Sequence, residues 1–322
     1  MKIKSITLQN YKRFVAEQTF SFCDEEDGEV NEMTLLVGDN GSGKSSILQA
    51  IVAVIGAECG RFTALSDLQW EGFEYNKLSE NVRIDVQIKL EKLNAIILLS
   101  TFGDNLLNKY MLSKGKWKIV KDELYNGRVV TAKELTSFDT YDPGASIYWY
   151  TEQRNSFSFK NPTLNVNSIE TLRNRLVKLS NIHGHINSGQ IQLKGGEKDR
   201  FIEMETVYNR IFPSRKFVGA IPQADLDAPE EFWLTDGKNQ YELAEMSAGE
   251  RAIFPILMDF ALLNINNSII IIDEIELHLH PPLQQALIRA LPKLGKNNQF
   301  IITTHSEDVA AMFHRKDIRY IK

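Results

Sequence analysis

Three short stretches of this chain carry residue types that could handle a phosphoanhydride. The first, Thr34 to Ser46, reads TLLVGDNGSGKSS. Gly38, Gly43, Lys44 and Ser45 fit the phosphate-cradle pattern, in which glycines let backbone N–H groups converge on phosphate oxygens at a helix N-terminus. Asp39, Asn40, Gly41, Ser42, Gly43, Lys44, Ser45 and Ser46 are therefore expected to line a nucleotide. The Lys44 ammonium should reach the β- and γ-phosphates, and the Ser45 hydroxyl should ligate Mg²⁺. The second stretch, SIIIIDE (Ser268 to Glu274), ends an apolar run in two acids. Asp273 is suited to the Mg²⁺ shell, and Glu274 to orienting or deprotonating an attacking water. The third, Phe300 to His305, ends a neighbouring apolar run in a histidine able to hydrogen-bond a γ-phosphate. In-line attack needs mainly positioning and charge neutralisation, so Glu274, His305 and Lys44 are the catalytic candidates, acting on a γ-phosphate with Mg²⁺.

These residues need elements to hold them. Met33 to Val37 has the length of a buried strand, and Ile47, Ile51, Val54 and Ile55 then repeat at helical spacing, so the cradle sits at a strand-to-helix junction. Upstream, Lys2 to Leu8 and a piece around Phe20 and Phe22 read as strands, separated from the cradle by the acidic loop Asp24 to Glu32. Val82, Ile84, Val86, Ile88 and Leu90 alternate with polar residues, and Ile96 to Leu99 offers an antiparallel partner. Asn108 to Thr136 is polar and poorly periodic, and is expected to be accessory structure. Ser146 to Tyr150 is β-rich and ends just before Gln153. Ser168 to Leu179 and Lys198 to Phe212 have helical periods and form a lobe. Phe232 to Leu243 carries Asp-Gly between β-formers, hence a hairpin. Pro255, inside the apolar segment Ala252 to Leu263, predicts a helix that starts late or kinks. Ser268 to Glu274, the striped segment Leu283 to Leu294, and Phe300 to Thr304 make a βαβ unit.

Composition narrows the setting. With 43% hydrophobic and 25% charged residues the 322-residue chain is ordinary soluble globular material, and no apolar run approaches the roughly 20 residues of a membrane span. The N-terminus has no signal-peptide apolar region, so a cytoplasmic protein is expected. Cys23 and Cys59 lack metal or disulfide spacing. A net charge of −5 argues against a uniformly basic surface. Between Glu170 and Glu197, however, no acid occurs while Arg173, Arg175, Lys178 and Lys194 do. A solvated helix face is the plainer reading, with nucleic acid as the rival.

The chain resembles the ABC-type ATPase heads of the SMC, RecF and OLD class. The likeness rests on GDNGSGKS (Gly38 to Ser45) as Walker A, MSAGER (Met246 to Arg251) as signature, IIIIDE (Ile269 to Glu274) as Walker B and TTHS (Thr303 to Ser306) as switch, with SITLQNYKRF as the opening. The resemblance implies an α/β P-loop NTPase fold with an antiparallel β subdomain and an inserted helical lobe. It implies one domain over 1–322, made of a Walker A lobe at 1–165, a helical insertion at 166–216 and a signature, Walker B and His-switch lobe at 217–322. Ser247 and Gly249, with Glu250, would then bind the γ-phosphate held by a second subunit, so that two heads sandwich two nucleotides. Gln153 falls at the Q-loop position, as a nucleotide and metal contact, with Gln69 the weaker rival. IELHLHP (Ile275 to Pro281) resembles a D-loop that touches the partner, against a zinc reading of Glu276, His278, His280 and His305.

No stretch from Ser168 to Phe217 sustains coiled-coil heptads, and the chain stops soon after His305, so a bare head without a Toprim nuclease domain is expected. The function implied is a switch, homodimeric or larger, that controls a separately encoded effector such as a nuclease or toxin in anti-phage defence. The alternative is a DNA-repair ATPase clamping nucleic acid in a dimer groove lined by Arg173, Arg175, Lys178 and Lys194. A transporter ATPase is disfavoured by SITLQNYKRF and IELHLHP.

Overall fold

The computed structural model describes residues 1–58, 81–90, 95–102, 105–113, 116–119, 123–125, 128–130, 146–151, 156–158, 169–225 and 228–322. The chain enters through β1 (Lys2–Gln9), β2 (Gln18–Ser21) and β3 (Met33–Val37), and β3 leads into helix α1 (Lys44–Glu58). Strands β4 (Arg83–Leu90), β5 (Ala95–Phe102), β6 (Asn105–Ser113), β7 (Lys116–Ile119), β8 (Glu123–Tyr125), β9 (Arg128–Val130), β10 (Ile147–Tyr150) and β11 (Ser156–Ser158) follow. Helices α2 (Ile169–Asn187) and α3 (Arg200–Asn209) precede β12 (Lys216–Ile221), β13 (Glu231–Thr235) and β14 (Gln240–Glu242). The last part alternates: α4 (Ala248–Leu263), β15 (Ile269–Ile272), α5 (Pro281–Ala290), β16 (Gln299–Thr304), α6 (Glu307–Ala310) and β17 (Ile318–Tyr320).

The central sheet has the order β11-β10-β15-β16-β3-β17, and every pairing except β10 with β11 is parallel. Along β15, Ile270 and Ile272 enter one core, shared with α4 and α5, while Ile269 and Ile271 enter another, shared with α1. Burial on both faces is why this strand reads as an unbroken apolar run. The second sheet, β2-β1-β4-β5-β6-β7, is antiparallel, with Arg83 opposite Phe102 and Leu90 opposite Ala95 as the alternation foretold. Helix α1 lies against both sheets. Ile47, Leu48 and residues 50–55 are all fully buried where described, so this helix is apolar all round rather than striped. Gln299 joins the sheets: its Nε2 donates to the Ile3 carbonyl at 2.8 Å and its Oε1 accepts from the Ile3 amide at 2.6 Å.

The stretch without a readable period, expected as accessory structure over Asn108 to Thr136, is built of strands where it is described. From Asn105 onward it continues the antiparallel sheet as β6 and β7 and adds the ribbon β8–β9. Ladder bonds are made by backbone groups that polar residues carry equally well, so composition does not reveal them.

Helices α2 and α3 share one core with the meander β12-β13-β14 and with α4, through Leu176, Met204, Tyr208, Phe217, Phe232 and Phe254. Strand β12 has no clear sequence signal. Amides along it are taken by side chains: Phe217 N donates to Glu205 Oε1 at 2.7 Å and Ala220 N to Ser180 Oγ at 2.9 Å. An edge so occupied offers little for another strand to pair with. The Asp-Gly hairpin closes through four residues: Thr235 faces Gln240, and Asp236 Oδ1 accepts the amides of Lys238 and Asn239.

Helix α4 overturns the late start, one of the two alternatives that Pro255 suggested. It begins at Ala248 with Pro255 in its interior, because a capping box sets its start: Ser247 Oγ accepts the Glu250 amide at 3.2 Å and Glu250 Oε2 accepts the Ser247 amide at 2.9 Å. No helix among the described residues is long and apolar enough to cross a membrane.

Candidate nucleotide site

Strands β10, β15, β16 and β3 are parallel neighbours, so the residues that follow them emerge on one edge of the sheet: Thr151, Asp273, His305 and Gly38. Ligand sites of open α/β sheets form at this edge.

Close approaches fix the glycines of the cradle. A Cβ on Gly38 would lie 2.3 Å from the Ile321 carbonyl oxygen, and one on Gly43 would lie 2.6 Å from the Phe14 ring. Gly43 also has φ +97°, a region L side chains avoid. Asp39, Asn40 and Gly41 form an exposed tip, whereas Ser42 is buried with its hydroxyl unbonded. Lys44 is only 5% exposed, and its Nζ donates to the carbonyls of Gly38 at 2.7 Å and Asp39 at 3.0 Å. The ammonium therefore sits inside the loop. Ser45 and Ser46 begin α1, half-buried.

Walker A and Walker B groups meet at Asp273. Its Oδ1 accepts from Ser45 Oγ at 3.1 Å and from Thr303 Oγ1 at 2.5 Å, and its amide donates to the Tyr150 carbonyl at 2.9 Å. The carboxylate is 4% exposed. An alcohol and a carboxylate beside a phosphate cradle are the hard oxygen donors Mg²⁺ takes from protein, leaving its other positions to phosphates and water. Glu274 follows with φ +47°, held by its amide on Thr303 Oγ1 at 2.8 Å. That left-handed turn bends the chain sharply out of β15 next to the cradle.

His305 is anchored by Glu276, whose Oε1 lies 2.9 Å from the histidine Nδ1. Glu276 and His305 meet as hydrogen-bond partners, and among the described residues no group of three or more His, Cys, Asp or Glu is arranged to hold a metal ion. Gln153 and Gln69 lie outside the described residues.

The signature residues have other neighbours. Ser247 is exposed at the N-terminus of α4, and a Cβ on Gly249 would come within 2.8 Å of Leu283 and 3.4 Å of the His278 carbonyl. The signature thus abuts the IELHLHP segment. Glu250 is 3% exposed and faces the fold: Oε1 accepts from Tyr208 at 3.2 Å, Tyr241 at 3.1 Å and Arg215 Nε at 3.0 Å. Burial, then the Glu250 charge, pushes the Tyr241 phenol up to about 12. Glu250 positions Ser247 rather than presenting its own carboxylate outward.

Two cations beside the cradle were not singled out from sequence chemistry. The turn Tyr11 to Phe14 places Arg13 Nη1 on the Gly41 carbonyl and Lys12 Nζ on Gln49 of α1. Burial lowers the Lys12 ammonium from its ordinary value. Their only sequence signal was the opening SITLQNYKRF. Arg173, proposed for a nucleic-acid groove, is instead paired with Glu242 by two bonds of 2.7 and 3.0 Å.

A parallel sheet with a phosphate loop after β3, paired acids after β15 and a histidine after β16, flanked by an antiparallel sheet, is the fold of a P-loop NTPase of the ABC-type head class. Residues 33–310 match the family described as "AAA domain, putative AbiEii toxin, Type IV TA system", and the chain belongs to that family. It is similar to the "Retron Ec83 probable ATPase" of Escherichia coli, 41% identical over 106 residues that span 30% of this chain and 20% of that protein. That match covers well under two thirds of the relative. The "Retron Vc95 probable ATPase" of Vibrio cholerae serotype O1 biovar El Tor is 24% identical over 396 residues, covering 100% of this chain and 73% of that protein. Among solved structures, an SMC head bound to the C-terminal winged-helix domain of ScpA superposes with a TM-score of 0.51 at 17% identity, covering 96% of this chain and 91% of that one. At that identity the likeness concerns the fold.

Proposed function

We propose that this chain is an ATP-binding and hydrolysing switch that pairs with a second copy around ATP and controls a separately encoded effector, in a retron-type anti-phage setting. Asp273 carries the reading, because one carboxylate oxygen receives hydroxyls from both the cradle helix and the β16 end. Lys44 would supply positive charge to the phosphates, and Ser45 and Asp273 would hold Mg²⁺, which when bound would supply charge neutralisation at the phosphate oxygens. Glu274, turned out of β15, orients the attacking water. Exposed Ser247 is offered to the nucleotide of the second copy, and the capping box keeps its hydroxyl and amide at the start of α4. The whole chain forms one ATPase domain with the lobes divided as the motifs suggest. Phosphate release with Mg²⁺-ATP, and recovery of a specific second protein from the native host, test the two halves. A wild-type protein that neither binds nor hydrolyses ATP sinks both.

A further inference from the structure

Glu276 lies in the IELHLHP segment, and no step above uses it chemically. It is 8% exposed, and both carboxylate oxygens accept from the end of β16. Oε1 takes the His305 backbone amide at 2.8 Å and ring Nδ1 at 2.9 Å, while Oε2 takes the Thr304 hydroxyl at 2.7 Å. A carboxylate only accepts, so this geometry puts a proton on Nδ1. The His305 side chain is 43% exposed, which leaves Nε2 as the nitrogen available to a ligand.

We propose that Glu276 is the positioning residue of the switch histidine: by accepting both the amide and the Nδ1–H of His305, it dictates that Nε2 meets the terminal phosphate of the nucleotide. The proposal rests on the ATPase reading and deepens it. In the neutral ring, a proton fixed on Nδ1 leaves Nε2 with a lone pair, which a phosphate oxygen repels. The ring donates from Nε2 only when it also carries a second proton, and the carboxylate at Nδ1 balances that charge. No bond is made or broken at Glu276, which acts through His305.

Two readouts test this on the full chain. In ¹⁵N–¹H spectra of the imidazoles, with His305 assigned through His305→Gln, the neutral wild-type ring is expected as the Nδ1–H tautomer. In Glu276→Ala it is expected to switch to Nε2–H. A neutral wild-type ring that carries its proton on Nε2 and none on Nδ1 overturns the proposal whatever the activity. In single-turnover hydrolysis, Glu276→Gln is expected to lose at least about tenfold in rate with ATP affinity changed less than about threefold. Combined with His305→Gln it should be no slower than His305→Gln alone; additive losses overturn the proposal. The near-isosteric Gln variant carries this arm even if Glu276→Ala fails to fold. A wild type without hydrolysis removes the ATPase reading, while the tautomer still decides the pairing.

Discussion

Lys44→Met separates the structural from the binding role of the cradle lysine. Lys44 is 5% exposed, so Met keeps its buried stem and removes only the ammonium, where Ala would also open a cavity. The chain then loses two bonds, to the Gly38 and Asp39 carbonyls. Hydrogen bonds to a charged group are worth about 1.5–3 kcal/mol each, but Asp39 is exposed and Gly38 half-buried, so these carbonyls return largely to water and the loss is about 1 kcal/mol. An unfolding entropy of about 2.1 cal/mol/K per residue over 322 residues makes that about 1–2 °C in Tm. ATP at about 100 times Kd adds about 2.7 kcal/mol, or about 4 °C, to the wild type. A variant binding about 100-fold more weakly gains only about 0.4 kcal/mol, under about 1 °C. Scanning fluorimetry with and without Mg²⁺-ATP reads both shifts. An equal ATP-dependent rise in the two proteins refutes the assigned cradle, and a drop of several degrees without ATP refutes the view that this lysine matters little to the fold.

Other outcomes follow from the same site. Glu274→Gln is expected to lower phosphate release by about 10²–10⁴-fold while keeping the ATP-dependent rise in Tm; unchanged turnover moves the catalytic role elsewhere. With ATP, light scattering should find Glu274→Gln dimeric and the double variant with Ser247→Arg monomeric, and equal masses would refute the sandwich. Arg173→Met is expected to cost roughly 2 kcal/mol at pH 7, measured by denaturant titration. Burial raises the Glu242 carboxyl, but the Arg173 bond and the Ala244 amide outweigh it and hold the group below its ordinary 4.5. A carboxyl lowered in the fold stabilises above about pH 4.5, and the effect is lost as pH falls through the folded value, so the gap between variant and wild type should close in acid. A gap constant from pH 7 to pH 3 contradicts this. The purified chain should leave DNA and RNA intact with Mg²⁺ or Mn²⁺; cleavage abolished by a substitution outside the ATP site would make the chain its own effector.

Some of this protein was already determined by its linear sequence. The cradle, the β3–α1 junction, the doubly buried β15 and the β4–β5 pair are local: their glycine spacing, their apolar run and their alternation are consequences of which faces are covered. Asp273, Glu274 and His305 were legible because each ends such a run. What only the tertiary structure decided depends on partners distant in sequence. Strands β6 and β7 exist through backbone ladders that polar residues do not advertise. Glu250 stood in a motif suggesting ligand contact, yet Tyr208, Arg215 and Tyr241 converge on it and draw its carboxylate inward. Arg173 belonged to a basic stretch until Glu242 was brought to it. Glu276 shows no chemistry until β15 and β16 pair in register and set the carboxylate beside Thr304 and His305. Sequence spacing encodes what a segment does with its own neighbours, whereas a buried carboxylate's role is set by whichever donors the fold delivers to it.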